Sequence, residues 1–153
     1  MPKFYRFWLV AIAWLSLDGL TKWLVITQME LGQSMPILPS FLHFTYAINT
    51  GAAFSLFKNS VDWLKWVSLL VSLVLVSLPF WQKNLGEWEQ WGYGSILGGA
   101  IGNGIDRFAH GHVIDFIDLV WLRFPIFNLA DVGINVGIIC LVIGLFGHSS
   151  DRV

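Results

Sequence analysis

Charge is what this chain has least of. Of its 153 residues, 9 are Lys or Arg and 10 are Asp or Glu, 12% in all, against about 25% in ordinary soluble domains. So few charges leave too little polar surface to cover a water-soluble globule of this length. The same figures exclude a disordered chain, which is poor in apolar residues and rich in charge. Neither sign is in surplus: a net charge of −1 and a pI near 6.4 leave no basic footprint for nucleic acid. Cysteine is nearly absent too. The single Cys140 excludes an internal disulfide framework and any cysteine-based metal cluster. What is abundant is apolar: 56% of residues are hydrophobic, 16% are aromatic and nine are tryptophan, and mean hydropathy is +0.65. Tryptophan favours the membrane–water interface. These features describe an integral membrane protein, mainly α, built as one unit over residues 1–153.

Four apolar segments follow one another, at about 7–26, 63–81, 91–108 and 128–146. Each is near the ~20 residues that cross a bilayer. Lys3 and Arg6 before the first segment resemble a secretory signal, and Ala11-Ile12-Ala13 resembles a cleavage site. The apolar run before that site, Phe7 to Val10, is too short, and the pattern continues past it, so an uncleaved first span is expected. Trp63, Trp66 and Trp81 near the ends of the second segment suit interfacial anchoring. In the third, Gly94, Gly98 and Gly102 recur at every fourth residue, the small-residue face that lets helices approach closely. An even number of spans puts both termini on one side, and Lys3 and Arg6 assign that side to the cytoplasm.

The two connections on the opposite side, about 28–62 and 109–127, are then extracytoplasmic. Leu42 to Ala47 alternates with the period of a strand, and His112 to Val120 is rich in β-formers. Pro36, Pro39 and Pro125 argue against long regular elements there. A small extracytoplasmic β-sheet platform on four transmembrane helices is the expected architecture. Gly51 and Ala52-Ala53 would let the loop 55–61 move as a lid.

An ionisable group within a span costs about 2.5–3.5 kcal/mol on insertion scales, so each one needs a reason. Asp18 and Lys22 share one face of the first span, with the acid toward the N-terminus, the favourable order for an ion pair. They either neutralise each other or reach into a polar site near the outer end. The third span ends in Asn103, Asp106 and Arg107. Arg107 reaching headgroups while paired with Asp106 would account for both charges; buried Asn103 needs polar partners on the facing connections. Asp131 opens the fourth span, about one turn from the outer face, and Asp115 lies in a strand-like run on the same side. They are either two unrelated interfacial acids or, if the intervening loop folds back, a carboxylate pair. Two carboxylates in one site do not both ionise easily, which supplies a base to activate water and an acid to polarise a carbonyl.

Other chemistries fit less well. His110 and His112 with Asp115 and Asp118 lack a metal-binding helical pattern. Gly94-Ser95 lacks the glycine pattern of a nucleophile elbow. Ser16 and Lys22 are poorly aligned for a Ser–Lys dyad, and an apolar mid-span setting keeps Cys140 inert. A proton relay in a small proton-coupled transporter is the rival from another class.

Five blocks carry a resemblance over nearly the whole chain: Asp18-Gly19-Leu20-Thr21-Lys22; Asn49-Thr50-Gly51-Ala52-Ala53-Phe54; the run from Gly98 to Arg107; Val113-Ile114-Asp115-Phe116; and Phe127-Asn128-Leu129-Ala130-Asp131. In this order the sequence resembles lipoprotein signal peptidase, the type II signal peptidase family of bacteria. The resemblance implies a multi-pass aspartic peptidase of the cell (inner) membrane. It would act on diacylglyceryl-modified prolipoproteins, cutting just before the modified cysteine, near the extracytoplasmic face. Asp115 and Asp131 would form the catalytic dyad. Asn49, Gly51, Asn103, Arg107, Asn128 and Ala130 would shape the site or bind substrate backbone and lipid, with Asp18 and Lys22 in support. Neither a metal nor an organic cofactor is expected, the partners are substrate and membrane lipids, and the chain is expected to act as a monomer.

Overall fold

The structure is a computed structural model and describes residues 3–51, 61–122 and 124–147; the loop 55–61, whose movement as a lid the sequence leaves open, falls almost wholly outside these. Helix α1 (Tyr5–Gln28) leads into strands β1 (Ser34–Leu38) and β2 (Leu42–Asn49). Helices α2 (Val61–Trp81) and α3 (Glu87–His110) follow, then β3 (Val113–Asp118), one 3-10 turn (Val120–Leu122) and α4 (Leu129–Gly147).

The solvent-facing logic of a soluble protein is inverted. Buried side chains include Asp18, Lys22, Asn103, Asp106, Asp115 and Asn128, whereas Leu9, Ile12, Leu70, Ile139 and Leu145 are exposed. That distribution suits hydrocarbon rather than water around the bundle, because polar groups in lipid must be satisfied internally. Three helical stretches, Tyr5–Gln28, Trp63–Trp81 and Leu129–Phe146, are long and apolar enough to cross a membrane.

Helix α3 is long enough as well: its 24 residues rise about 36 Å at ~1.5 Å per residue. It falls short in apolarity because it packs against all three other helices, so much of its surface meets protein. Glycine serves this position. A Cβ on Gly94 would lie 2.5 Å from the Phe7 carbonyl oxygen, and one on Gly98 would lie 2.6 Å from that of Ala11. Gly102 meets the Asp18 carboxylate in the same way, so the expected glycine face is the seam with α1. Both contact series rise together in number, so α1 and α3 run parallel. On another face Gly99 abuts the Ala130 carbonyl of α4, and Gly92 faces Leu141, an antiparallel contact.

The sheet is antiparallel with order β1-β2-β3 and lies at the end of the bundle where α1 and α3 finish and α4 begins. β2 comes from the first long connection and β3 from the second, as the strand patterns predict, and β1, which no strand pattern marks, pairs with β2 from the same connection. Proline limits β1: its pairing shifts between Pro36 and Leu38. β2 pairs β3 with Ala47 opposite Asp115 and Asn49 opposite Val113. Beneath the sheet, Val25 of α1 and Met29 just after it pack with Ile114 and Phe116 of β3. This apolar plug fixes β3 over the helix ends and so fixes Asp115.

Candidate active site

The polar centre is built from α1 upward. Lys22 is buried, and its Nζ donates three bonds: to Asp18 Oδ2 at 2.8 Å, Asp106 Oδ2 at 2.8 Å and Asn103 Oδ1 at 3.1 Å. An ammonium has three hydrogens, so this cation is fully satisfied. The two carboxylates also accept backbone bonds. Asp18 Oδ1 accepts from the Ala130 N–H at 2.9 Å, in the first turn of α4, where the helix dipole favours an anion. Asp106 Oδ2 accepts from the Ile114 N–H at 3.1 Å. One lysine thus ties α1 to α3, and its partners continue the tie to α4 and β3.

Both readings of the Asp18–Lys22 pair are realised together, since the pair forms and also reaches the polar site. Asp106 differs from its expected role: its ion pair is with Lys22, while Arg107 Nη1 donates to Ser68 Oγ of α2 and to the Asn103 carbonyl, each at 3.3 Å. The helical periodicity explains this, because Asp106 faces α1 and Arg107 is turned toward α2 and the cavity.

Lys22 settles which way the Asn103 amide points. Its Oδ1 accepts from Lys22 and, at 2.9 Å, from Asn128 Nδ2; its Nδ2 is left to donate to Asp131 Oδ1 at 2.8 Å. Asn128 precedes α4 and forms a reciprocal cap with Asp131: Asp131 N–H donates to Asn128 Oδ1 at 3.0 Å, and Asn128 N–H donates to Asp131 Oδ2 at 3.2 Å. Such a box satisfies orphan donors at a helix start and fixes the acid's rotamer. The same Asn128 amide donates to Asp115 Oδ1 at 2.7 Å, and Asn49 Nδ2 donates to Asp115 Oδ2 at 2.8 Å. Asn49 is itself held by the Gly51 N–H, which donates to its Oδ1 at 2.9 Å. Asn128 therefore links the two carboxylates directly, through its side chain to one and its backbone to the other.

Asp115 and Asp131 line one cavity of about 730 Å³, with Asn49, Gly51, Asn103 and Arg107. Its remaining wall is largely apolar, from Leu119, Leu122, Phe124 to Phe127, and Val132, Val136 and Ile139 of α4. Burial first, and then the negative charge of Asp131, push the Asp115 carboxyl up to about 7, against the pull of the bonds from Asn49 and Asn128 and of the Lys22 charge. Near neutral pH Asp115 is therefore held between its acid and carboxylate forms, which suits it to exchange a proton in acid–base hydrolysis.

Every residue expected at the site joins this network or lines its cavity; Ala130 does so through its backbone N–H. The weighed alternatives fall elsewhere. Lys22 spends its hydrogens away from Ser16, and Ser95 Oγ accepts from Trp14 Nε1 at 3.0 Å. His110 and His112 face each other at 5.8 Å between ring centroids and are not among the cavity-lining residues. Ser68 and Asn135 were missed. Asn135 had a usable signal, an amide inside an apolar run one turn after Asp131; a serine at Ser68 carries none.

The family profile described as Signal peptidase (SPase) II matches residues 10–147. The chain belongs to the signal peptidase II family. A lipoprotein signal peptidase of Microcystis aeruginosa is 55% identical over 145 residues, covering 94% of each chain. One from Trichormus variabilis is 51% identical, covering 95% of this chain and 92% of its own. A solved bacterial membrane enzyme, obtained by the in meso method, superposes with a TM-score of 0.86 at 31% identity, covering 95% of this chain and 90% of that one. A second such structure gives 0.79 at 32% identity, with 90% of each chain covered. The transporter weighed from the sequence has no counterpart among these signal peptidase II relatives.

Proposed function

We propose that the chain is a membrane aspartic endopeptidase that removes signal peptides from prolipoproteins, cutting before a cysteine that carries a diacylglyceryl group. The observation that carries this is the pair Asp115 and Asp131, joined through Asn128 and opening into one largely apolar cavity. Membership of the signal peptidase II family supplies the reaction class. Asp115 holds the proton and donates it to the scissile carbonyl oxygen, while Asp131 takes a proton from water. The resulting hydroxide forms the new C–O bond. On collapse the C–N bond breaks, the Asp131 proton passes to the leaving amine, and the hydroxyl proton returns to Asp115. Neutralising the carbonyl oxygen in this way avoids a full oxyanion near lipid, where desolvation is costly.

Asn49 and Asn128 hold Asp115, Asn103 and Asn128 hold Asp131, and Gly51 braces Asn49. Ala130 anchors Asp18, and Asp18 with Lys22 sets the orientation of Asn103. Arg107 offers a cation to the substrate backbone or lipid. In this reading residues 1–153 form one membrane-embedded unit with four spans. Helix α3 is the shielded fourth, both termini are cytoplasmic, and the sheet is extracytoplasmic on the inner membrane. The apolar cavity wall suits acyl chains entering from the bilayer, and one cavity suffices for a monomer to work. The test is a gel-shift assay of the purified chain with a diacylated and a non-lipidated precursor. Cleavage of the lipidated form alone is expected; equal cleavage of both removes the lipid requirement, and cleavage of neither removes the proposal.

A further inference from the structure

Asn135 lies on α4 four residues after Asp131, in the most apolar of the spanning helices, of mean hydropathy 2.3. Its side chain is exposed, where an amide without partners is costly in hydrocarbon. Nδ2 donates to the Asp131 carbonyl oxygen at 2.9 Å, which uses one of its two hydrogens. The second hydrogen and the Oδ1 atom have no partner among the described residues. Asn135 also lines the cavity shared by Asp115 and Asp131, beyond which Val136 and Ile139 continue the wall along α4. It therefore stands where the polar end of the cavity gives way to the apolar end.

Its distance from the dyad is informative. Four residues advance a helix by about 6 Å, so Asn135 sits one turn deeper than the group that activates water. In a substrate cut beside a diacylglyceryl cysteine, the glycerol ester carbonyls hang a few bonds beyond the sulfur, a reach comparable with that turn. We infer that Asn135 is a specificity-determining residue that donates its second amide hydrogen to an ester carbonyl of the substrate's lipid. This rests on the peptidase reading above and adds to it the polar group that recognises the glycerol ester. The acyl chains then continue along Val136 and Ile139, and the peptide bond is set at the dyad.

The test compares two precursors with the purified full chain in phospholipid nanodiscs. One carries an ester-linked diacylglyceryl group, the other an ether-linked dialkylglyceryl group that lacks the carbonyls. One neutral hydrogen bond corresponds to a KM lower by about two- to tenfold for the ester substrate with the unaltered chain. Asn135→Leu, which places an ordinary apolar residue on an exposed helix face, is expected to erase that difference by raising KM for the ester substrate alone. Asn135→Gln, which keeps an amide, is expected to retain part of it. An unaltered ester preference in Asn135→Leu, or no preference in the original chain, overturns the inference. Failure of the original chain to cleave either precursor overturns the peptidase reading instead.

Discussion

Replacing Lys22 by methionine keeps most of the side-chain volume and removes the charge. In the structure the ammonium serves Asp18, Asp106 and Asn103 at 2.8, 2.8 and 3.1 Å, and Asp18 and Lys22 are only 1% and 3% exposed. Without it, two carboxylates remain side by side and keep only their backbone donors, Ala130 and Ile114. Breaking a buried pair by removing one partner costs roughly 3–5 kcal/mol, because the other charge is left uncompensated. Lys22→Met is therefore expected to lose about that much stability, measured as the shift in SDS-induced unfolding at fixed dodecylmaltoside fraction. Neutralising one acid as well, in Lys22→Met/Asp106→Asn, should recover part of the loss, since the like-charge contact disappears. A loss below about 1 kcal/mol, the range of surface pairs, with no recovery in the double variant, would refute the idea that this lysine holds the bundle together.

Two further outcomes follow from the same geometry. A Cβ on Gly98 would lie 2.6 Å from the Ala11 carbonyl oxygen and 2.8 Å from Trp14 Cβ. Backbone cannot yield there, so Gly98→Val should destabilise by about 1–3 kcal/mol in the same unfolding assay, whereas the variant at Gly19, which has nothing within 4 Å of its Cβ position, should not show this steric loss. Cleavage should fall as pH rises through about 7, where Asp115 loses the proton it must donate. The sign follows from the raised value: the acid form is present below it and lost above it. A pH–rate profile for the purified chain checks this, and a rate that keeps climbing to pH 9 contradicts it.

Much of the site was legible in the sequence because lipid makes polar residues conspicuous. Asp18, Lys22, Asn103, Asp115 and Asp131 stand out against apolar neighbours, and local spacing read correctly the Asp18–Lys22 pair and the glycine face of α3. Contacts set by packing between distant segments were not legible. Lys22 meets Asn103 across 81 positions, a distance decided by how closely Gly98 and Gly102 let α1 approach. Adjacency in the sequence alone pairs Asp106 with Arg107, although neighbours on a helix do not face each other; the α1 seam shows that Lys22 takes Asp106. Helix α3 is less apolar than α1, α2 and α4, since a helix packed against three others needs less apolar surface than they present.

The central claim is that Asp115 and Asp131 act as one catalytic pair. Its most direct test is single-turnover cleavage of a diacylated precursor by purified Asp115→Asn and Asp131→Asn proteins. Asparagine nearly preserves size and keeps one oxygen, so one of the two bonds that each acid accepts is retained, from Asn49 or Asn128 at position 115 and from Asn103 or the Asn128 N–H at position 131, and both variants are expected to insert and fold. Each is expected to bind the precursor and leave it uncut. Full processing of the precursor by either folded variant would contradict the account.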